Sequence, residues 1–574
     1  MIKILHIVQC LGTGGGPRAI ISTAKNSSRM GNFKHTIASI RPASDSGIEW
    51  ARQAGISVIS QAERNTLLNE IKNSDIVQIS WWNTPEIYEL LRSELPEMRL
   101  IIWFHVGGDS PPQVITENLV KFADMALACS PYTYDRKVFK DLQPELKLKK
   151  TGMIYGAADF DRLSTLSPKP HDTFNVGYVG TFSLIKMHRN FMKMSASIDI
   201  PNLKVIVCGR CIDDIFMDEA RMTGKFNRFD FRGHVEDIQP VYEILDVYGY
   251  PLCENTYAAA ELTMQETMFA GVPPVVFPHG GLKDLVVNDY TGIVVNTEPE
   301  YKEAIEYLYH QPHERQRMSE NCKQYARQIF GAENAAKKLN PLYEKMMMQP
   351  KRKRVWGCEA TVSLLDQPVT MDDLLFTSVK KDISGAEMFV ESLGNSPYAE
   401  SFRLSMLSSE IDTLMHADQN IAACPRVMFC NDTGGILQYE GYYPNDPFLR
   451  LWAALVWEKQ GELTNAYSDF ASAVNTGFTH WRIHWYVARV AEKIGRIPEA
   501  IKSLGIVLQH TTNLPEAEEM YHRLSAMQPK EEGENPSKPS EEVYSTECPY
   551  CNELLYISHS GRWGCPKCKN EFVV

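Results

Sequence analysis

The stretch from Glu254 to Gly281, ENTYAAAELTMQETMFAGVPPVVFPHGG, constrains the fold more than any other part of the chain. It reads as a loop, then a helix from Leu262 to Ala270 that ends at Gly271. Two prolines follow, and then a buried strand (Val275, Val276, Phe277) that runs into a glycine pair. That order is an α/β unit. The open N-terminus of such a helix can hold a phosphate, because unpaired N–H groups and the helix dipole both favour negative charge there. Glu266, one turn in, is placed to accept hydrogen bonds from a neutral diol such as a ribose.

The same alternation fills the first half of the chain. Ile2–Val8, Thr36–Ile40, Ile76–Ser80, Leu100–Val106 and Met125–Cys129 are short, nearly continuous apolar runs. Such runs predict strands of a parallel sheet covered on both faces. Ligands bind at the carboxyl ends of such strands, which puts the first loop, Gly12-Thr13-Gly14-Gly15-Gly16-Pro17-Arg18, at the site. Its spacing is not G-x-G-x-x-G, and the second strand ends in Arg41-Pro42 without a ribose-binding acid, so it is a poor dinucleotide loop. A plain tight turn is the bland alternative. A second α/β unit begins at Phe174, with LKVIVCGR as its next strand and helices from Pro299 to about Met348 closing it. Cys208-Gly-Arg-Cys211 lacks a thioredoxin-like setting and reads as a strand-end turn.

QETMFAGVPPVVFPHGG resembles the signature of family-4-type glycosyltransferases of the GT-B fold, in which E-A-M-A-x-G-x-P-V-V precedes a glycine pair. The resemblance covers about residues 1–345 and implies two Rossmann-like domains, 1–165 on the acceptor side and 166–348 binding the nucleotide-sugar. It implies that Glu266, as the second glutamate of an E-x7-E motif, binds the donor ribose. The first glutamate is replaced by Ala258; Glu261 is the nearest carboxylate. On one helix Glu261 and Glu266 would lie about 140° apart, so Glu261 can serve only from the loop before it. FNVGYVGTFSLIKMHRNF is similar to the family's G-R-L-x-x-x-K: Lys186 keeps the diphosphate-gripping lysine, Thr181 stands at the arginine, and Arg189 or Arg210 could supply the second cation.

His105, in IIWFHVGG, matches the histidine that faces the donor sugar; taken alone it reads as a hydrogen-bonded strand-end histidine. ACSPYT, with Ser130, and MIYGAADFDRL match the segments that close the first domain, with Tyr155 in place of the usual Asn. Asp159-Phe160-Asp161 forms the D-x-D that binds a divalent metal in the other glycosyltransferase fold. The GT-B pattern expects an acid at this place, so no catalytic metal is expected.

The implied activity is retaining, metal-independent transfer of a sugar from a UDP- or GDP-linked donor to a polysaccharide, lipid-linked or protein acceptor. The implied catalytic residues are His105, Lys186 and Glu261. The implied donor-binding residues are Gly14, Gly15, Gly16, Thr181, Lys186, Glu261, Leu262, Thr263 and Glu266. The missing arginine and displaced glutamate also fit a non-catalytic scaffold.

The basic tetrad Lys351–Arg354 reads as a solvated linker. Within 349–443 the sequence says little beyond a capping box, Ser384 to Glu387, before an amphipathic helix. Residues 444–528 repeat: Gly461, Ala466 and Phe470 recur 34 positions on as Gly495, Ala500 and Leu504, and Trp452 and Trp485 open comparable helices. This is the tetratricopeptide period and implies a protein partner. Residues 529–546 are polar, charged and proline-containing, a linker without a core. In 547–574, Cys548-Pro-Tyr-Cys551 and Cys565-Pro-Lys-Cys568 predict a zinc ribbon whose four thiolates hold a structural Zn2+.

A net charge of −12 argues against a general nucleic-acid binder. No apolar run reaches the roughly eighteen residues of a membrane span, which leaves peripheral membrane contact open. The opening MIKILHIVQCLG is broken by His6 and Gln9 and reads as a strand rather than a leader. Thirteen cysteines, most of them scattered, suit a reducing cytoplasm.

Overall fold

Runs that are mostly apolar, rather than strictly alternating, become the middle strands of two parallel sheets. The structure, a computed structural model, describes residues 1–211, 215–357, 383–424, 434–511 and 513–527, with backbone alone for three short strands beyond them. The described chain divides into two units, Met1–Ser503 and Leu504–Val574.

In the first unit, β1 (Ile2–Val8), β2 (Phe33–Ser39), β3 (Ser57–Ile59), β4 (Ile76–Trp81), β5 (Leu100–Phe104), β6 (Met125–Ala128) and β7 (Thr151–Met153) form one sheet. Its order is β3-β2-β1-β4-β5-β6-β7, and every pair is parallel. β4 and β5 are buried along their whole length, the mark of a sheet covered on both faces. β8 (Phe174–Val179), β9 (Leu203–Cys208), β10 (Phe229–Gly233), β11 (Val247–Tyr250), β12 (Pro274–Val276) and β13 (Ile293–Val294) build the second. That sheet runs β10-β9-β8-β11-β12-β13, again parallel throughout. The order reverses beside β1 in one sheet and beside β8 in the other, which opens a crevice at the carboxyl ends of these strands. Two such α/β lobes are the GT-B arrangement. The short edge strands β3 and β7 were not legible in the sequence; each has only three residues.

The last helix of the second lobe, Ala332–Met347, returns to the first and packs on Gly15–Met30. Its Asn340 accepts from Ser27 Oγ at 2.5 Å, and Tyr343 donates to Gln78 Oε1 at 2.7 Å. Ser27 Oγ also meets His35 Nε2 at 2.9 Å, and His35 Nδ1 meets His6 Nε2 at 2.8 Å. Burial holds both imidazoles neutral, lowering His35 to about 4.

Residues 351–354 are not the solvated linker that their charge predicts. Lys351 donates to the Lys72 carbonyl at 2.8 Å, Arg352 pairs backbone to backbone with Met98, and Lys353 meets Glu94 at 3.2 Å. The Arg354 side chain is 8 % exposed; it pairs with Asp124 and donates to the carbonyls of Phe122 and Met98. Five donors in a rigid fork can satisfy a carboxylate and strand-end carbonyls together, so this arginine docks rather than floats.

Helices Gly385–Ser392, Pro397–Leu407, Ile411–Ala422, Ile436–Tyr442, Pro447–Gln460, Leu463–Asn475 and Arg482–Lys493 follow. The Ser384–Glu387 capping box is present. One apolar cluster runs from Ile79, Trp81 and Phe104 of the first sheet through Phe389 and Tyr439 to Trp452 and Tyr486. The helical segment is therefore part of the first lobe's core, not a tethered module. Asn83 is the polar tie: its amide donates to the Pro112 carbonyl (2.6 Å) and Ser392 Oγ (3.0 Å), and its oxygen accepts from Tyr439 (2.9 Å).

In the second unit, the helix Pro515–Met527 precedes a three-stranded antiparallel sheet of β14 (Tyr556–Ile557), β15 (Trp563–Gly564) and β16 (Glu571–Phe572). Cys548, Cys551, Cys565 and Cys568 lie outside the described residues, as does the linker predicted at 529–546. No helix among the described residues is long and apolar enough to cross a membrane.

Candidate active site

The site is built where the carboxyl ends of the two sheets face each other. From the first lobe come the loop after β1 and the segment after β5; from the second come the loops after β8 and β11. The lobes touch backbone to backbone, Gly107 N–H donating to the Tyr257 carbonyl at 2.8 Å, and Ser110 Oγ donates to the Asn255 carbonyl at 2.7 Å. A Cβ on Gly15 would sit 3.1 Å from Leu262 Cδ1, so the first helix of one lobe meets the Leu262 helix of the other at their N-termini. Neither N-terminus carries a side-chain cap or an acid in its first turn. Two uncapped helix starts at one place concentrate partial positive charge and favour an anion.

The Leu262 helix spans Leu262–Ala270, as its sequence predicts, and ends on the left-handed Gly271 (φ 80°). Gln265 fixes it against the interlobe crossing: its amide donates to the carbonyls of Gly156 (2.6 Å) and Ala260 (2.7 Å) and accepts from Ala158 N–H (3.2 Å). Glu261 is its N-cap residue, with φ 26° and ψ 84°, a conformation that L-residues seldom adopt. Its carboxylate turns away from the helix to Lys186 Nζ, 3.1 Å distant, and accepts from Tyr250. These side chains are 9 % and 13 % exposed. Burial opposes the Lys186 charge, but Glu261 and the surrounding tyrosines outweigh it and hold the ammonium above the ordinary lysine range.

The loop that carries Lys186 is pinned at both ends. Tyr178 donates to the Thr181 carbonyl at 2.7 Å, and the Lys186 carbonyl accepts from Cys253 N–H at 2.9 Å. Gly209 passes so near that a Cβ there would lie 1.8 Å from the Gly180 oxygen. That close approach is the role of the glycine in Cys208-Gly-Arg-Cys211. Tyr178, Tyr250 and Tyr248 stack in series with centroids 5.1 Å apart, and Tyr248 donates to the Val179 carbonyl (2.9 Å) and shares a hydrogen bond with Thr263 Oγ1 (3.1 Å).

The structure thus brings Lys186, Glu261, Leu262 and Thr263 together, with Gly15 facing them. Thr181 offers its carbonyl rather than a charge. Glu266 lies on the inner face of the helix, 4 % exposed, with Oε1 on Arg162 at 2.6 Å and Oε2 on Tyr242 at 3.0 Å. Arg189 and Arg210 are exposed. The cations nearer to Glu266 are Arg162 and Arg18, the latter 3.5 Å over the Trp50 ring. His105 follows β5, tilted on Trp103, with Nε2 buried and without a hydrogen-bond partner; burial lowers it to about 4. It is a neutral imidazole at pH 7. Asp161 of the D-x-D pairs with Lys25 at 2.7 Å and Arg29 at 3.5 Å. Sequence reasoning missed Arg162, Tyr242 and Tyr250. The alternating Tyr248 and Tyr250 on a short strand were the available signal for the aromatic floor; nothing local marked Arg162.

Residues 159–325 match the family model of glycosyl transferases group 1, and residues 546–574 match a domain of unknown function, DUF8512. A GDP-mannose-dependent alpha-mannosyltransferase of Mycolicibacterium smegmatis (strain ATCC 700084 / mc(2)155) is 27% identical over 148 residues, 26% of this chain. The match spans 36% of that relative's length. HepE of Anabaena, crystallised with UDP and glucose, superposes with a TM-score of 0.50 at 17% identity over 60% of this chain and 100% of its own. A glycosyltransferase of Rickettsia africae aligns with a TM-score of 0.49 at 15% identity, covering 60% of this chain and 98% of its own. The segment that carries Lys186, Glu261 and Glu266 is therefore similar to glycosyl transferases group 1, and the HepE superposition supports the two-lobed fold.

Proposed function

We propose that this chain is a retaining, metal-independent glycosyltransferase that takes a sugar from a UDP- or GDP-linked donor. The observation that carries the reading is the Lys186 ammonium one carboxylate away from the uncapped start of the Leu262 helix, in a cleft whose other wall is the Gly14–Gly16 loop. A departing diphosphate gains negative charge at the bridging oxygen, and an ammonium with a helix dipole stabilises it where it forms. A charge-assisted hydrogen bond from Lys186 would contribute roughly 1.5–3 kcal/mol. Glu266, oriented by Arg162 and Tyr242, would accept from the ribose, and Glu261 and the unpartnered His105 Nε2 would meet the sugar. The acceptor, a polysaccharide, lipid-linked sugar or protein, would enter from the first lobe.

The test is a panel of UDP- and GDP-linked sugars, read by released nucleoside diphosphate and by mass analysis of the modified acceptor. Turnover with one donor, lowered at least tenfold by Lys186→Ala, supports the reading. A second reading, a non-catalytic scaffold, is favoured by Lys186 already having a carboxylate partner and by the engagement of both Glu266 oxygens. Zero turnover of the folded wild type across all donors sides with it.

The same proposal takes 444–528 as tetratricopeptide-like repeats that receive a protein partner. Gly461 (φ 86°) and Gly495 (φ 78°), 34 positions apart, support it, each following a helix. It takes Cys548, Cys551, Cys565 and Cys568 as ligands of one structural Zn2+, whose four thiolates leave no open position for chemistry. Metal analysis of the purified chain should find one zinc, lost in Cys551→Ser/Cys565→Ser. The same proposal takes the setting to be cytoplasmic, where thirteen mostly scattered cysteines would stay reduced.

A further inference from the structure

The partner of Lys186 is an anion supplied by the chain itself. A short polar side chain at a helix N-cap usually folds back to accept the first free N–H groups; the longer Glu261 does not, and no side chain caps that helix. Its carboxylate lies on the ammonium instead, anchored by the Tyr250 hydroxyl, over whose ring Lys186 Nζ sits at 5.8 Å. With Thr181 where a second cation would stand, the ammonium beside the N-cap residue of this helix is already neutralised.

We propose that Glu261 is an internal counter-anion, which holds Lys186 in the donor-free protein and is exchanged for the diphosphate of an incoming nucleotide. Lys186 then turns from carboxylate to phosphate, and the released carboxylate is free to accept from a hydroxyl of the donor sugar. The exchange moves no covalent bond. It spares the protein an unpaired buried ammonium, at the cost of weaker binding of any free nucleoside diphosphate, because each must displace a carboxylate held at two points. The inference rests on the donor-site reading above and adds competition within it.

The experiment is calorimetric titration of the full chain with UDP and with GDP. Glu261→Gln keeps the shape and an acceptor for Tyr250 while removing the charge. It should bind the preferred diphosphate at least tenfold more tightly than wild type, and Lys186→Ala should bind at least tenfold more weakly. Glu261→Gly, which also suits the positive φ, is the second variant and should give the same gain if Glu261→Gln folds poorly. Unchanged or weaker binding by the folded Glu261 variants, with Lys186→Ala still weak, overturns the counter-anion and leaves the donor site standing. Equal binding by Lys186→Ala and wild type, or no binding of either nucleotide by any variant, overturns both.

Discussion

Asn83→Ala should destabilise the first unit by about 3–5 kcal/mol. The side chain is fully buried and makes three hydrogen bonds, to the Pro112 carbonyl, Ser392 Oγ and the Tyr439 hydroxyl. At about 1 kcal/mol net for each, their loss accounts for roughly 3 kcal/mol. The rest comes from the buried space the amide vacates, since the Pro112 carbonyl still accepts from Val114 N–H at 3.0 Å. Ser392→Ala removes one contact and should cost about 1 kcal/mol, and Tyr439→Phe between about 1 and 2 kcal/mol. Urea denaturation of the full chain, followed by tryptophan fluorescence, reads the differences as shifts in midpoint. An Asn83→Ala midpoint within about 0.5 kcal/mol of wild type, or a loss no larger than that of Ser392→Ala, would refute the claim that this amide ties the helices to the lobe.

Three further outcomes follow from buried charge and close approach. His35 and His105 have values near 4 through burial, against an ordinary 6.5. The unfolded chain therefore takes up protons first, and the stability these residues contribute, present above pH 6.5, is lost as pH falls toward 4. Each should cost about 2 kcal/mol between pH 7 and pH 5; equal urea midpoints at the two pH values would contradict this. Arg354→Met strands Asp124, whose side chain is 10 % exposed, and should cost about 3–5 kcal/mol by the same assay; a change below 1 kcal/mol would return residues 351–354 to the role of a solvated strap. Gly209→Ala places a methyl against the Gly180 carbonyl and should displace the Lys186 loop. Nucleoside diphosphate binding should fall at least tenfold, and unchanged binding would show that the loop tolerates the shift.

Much of this architecture is legible in the chain because its causes are local. The Leu262 helix has Gly271 to end it and prolines to prevent continuation, so its bounds are readable to the residue. Apolar runs such as Leu100–Phe104 need no partner to be recognised. What stays hidden depends on residues distant in sequence. Arg354 looks like one of four solvated cations until Asp124, 230 positions earlier, is brought beneath it. Glu266 looks free until Arg162 and Tyr242 converge on it. Of the candidate site, Lys186 and the helix start were readable from the glycosyltransferase resemblance; the Glu261 partnership was not, because it rests on a backbone conformation that residue type does not predict.

The central claim is that the ammonium of Lys186 and the start of the Leu262 helix together grip a diphosphate. A crystal or cryo-EM structure with the tighter binding of UDP or GDP measures it directly. The account predicts phosphate oxygens within hydrogen-bond reach of Lys186 Nζ and of the first amides of that helix. A nucleotide seated elsewhere, with Lys186 still on Glu261, would contradict it.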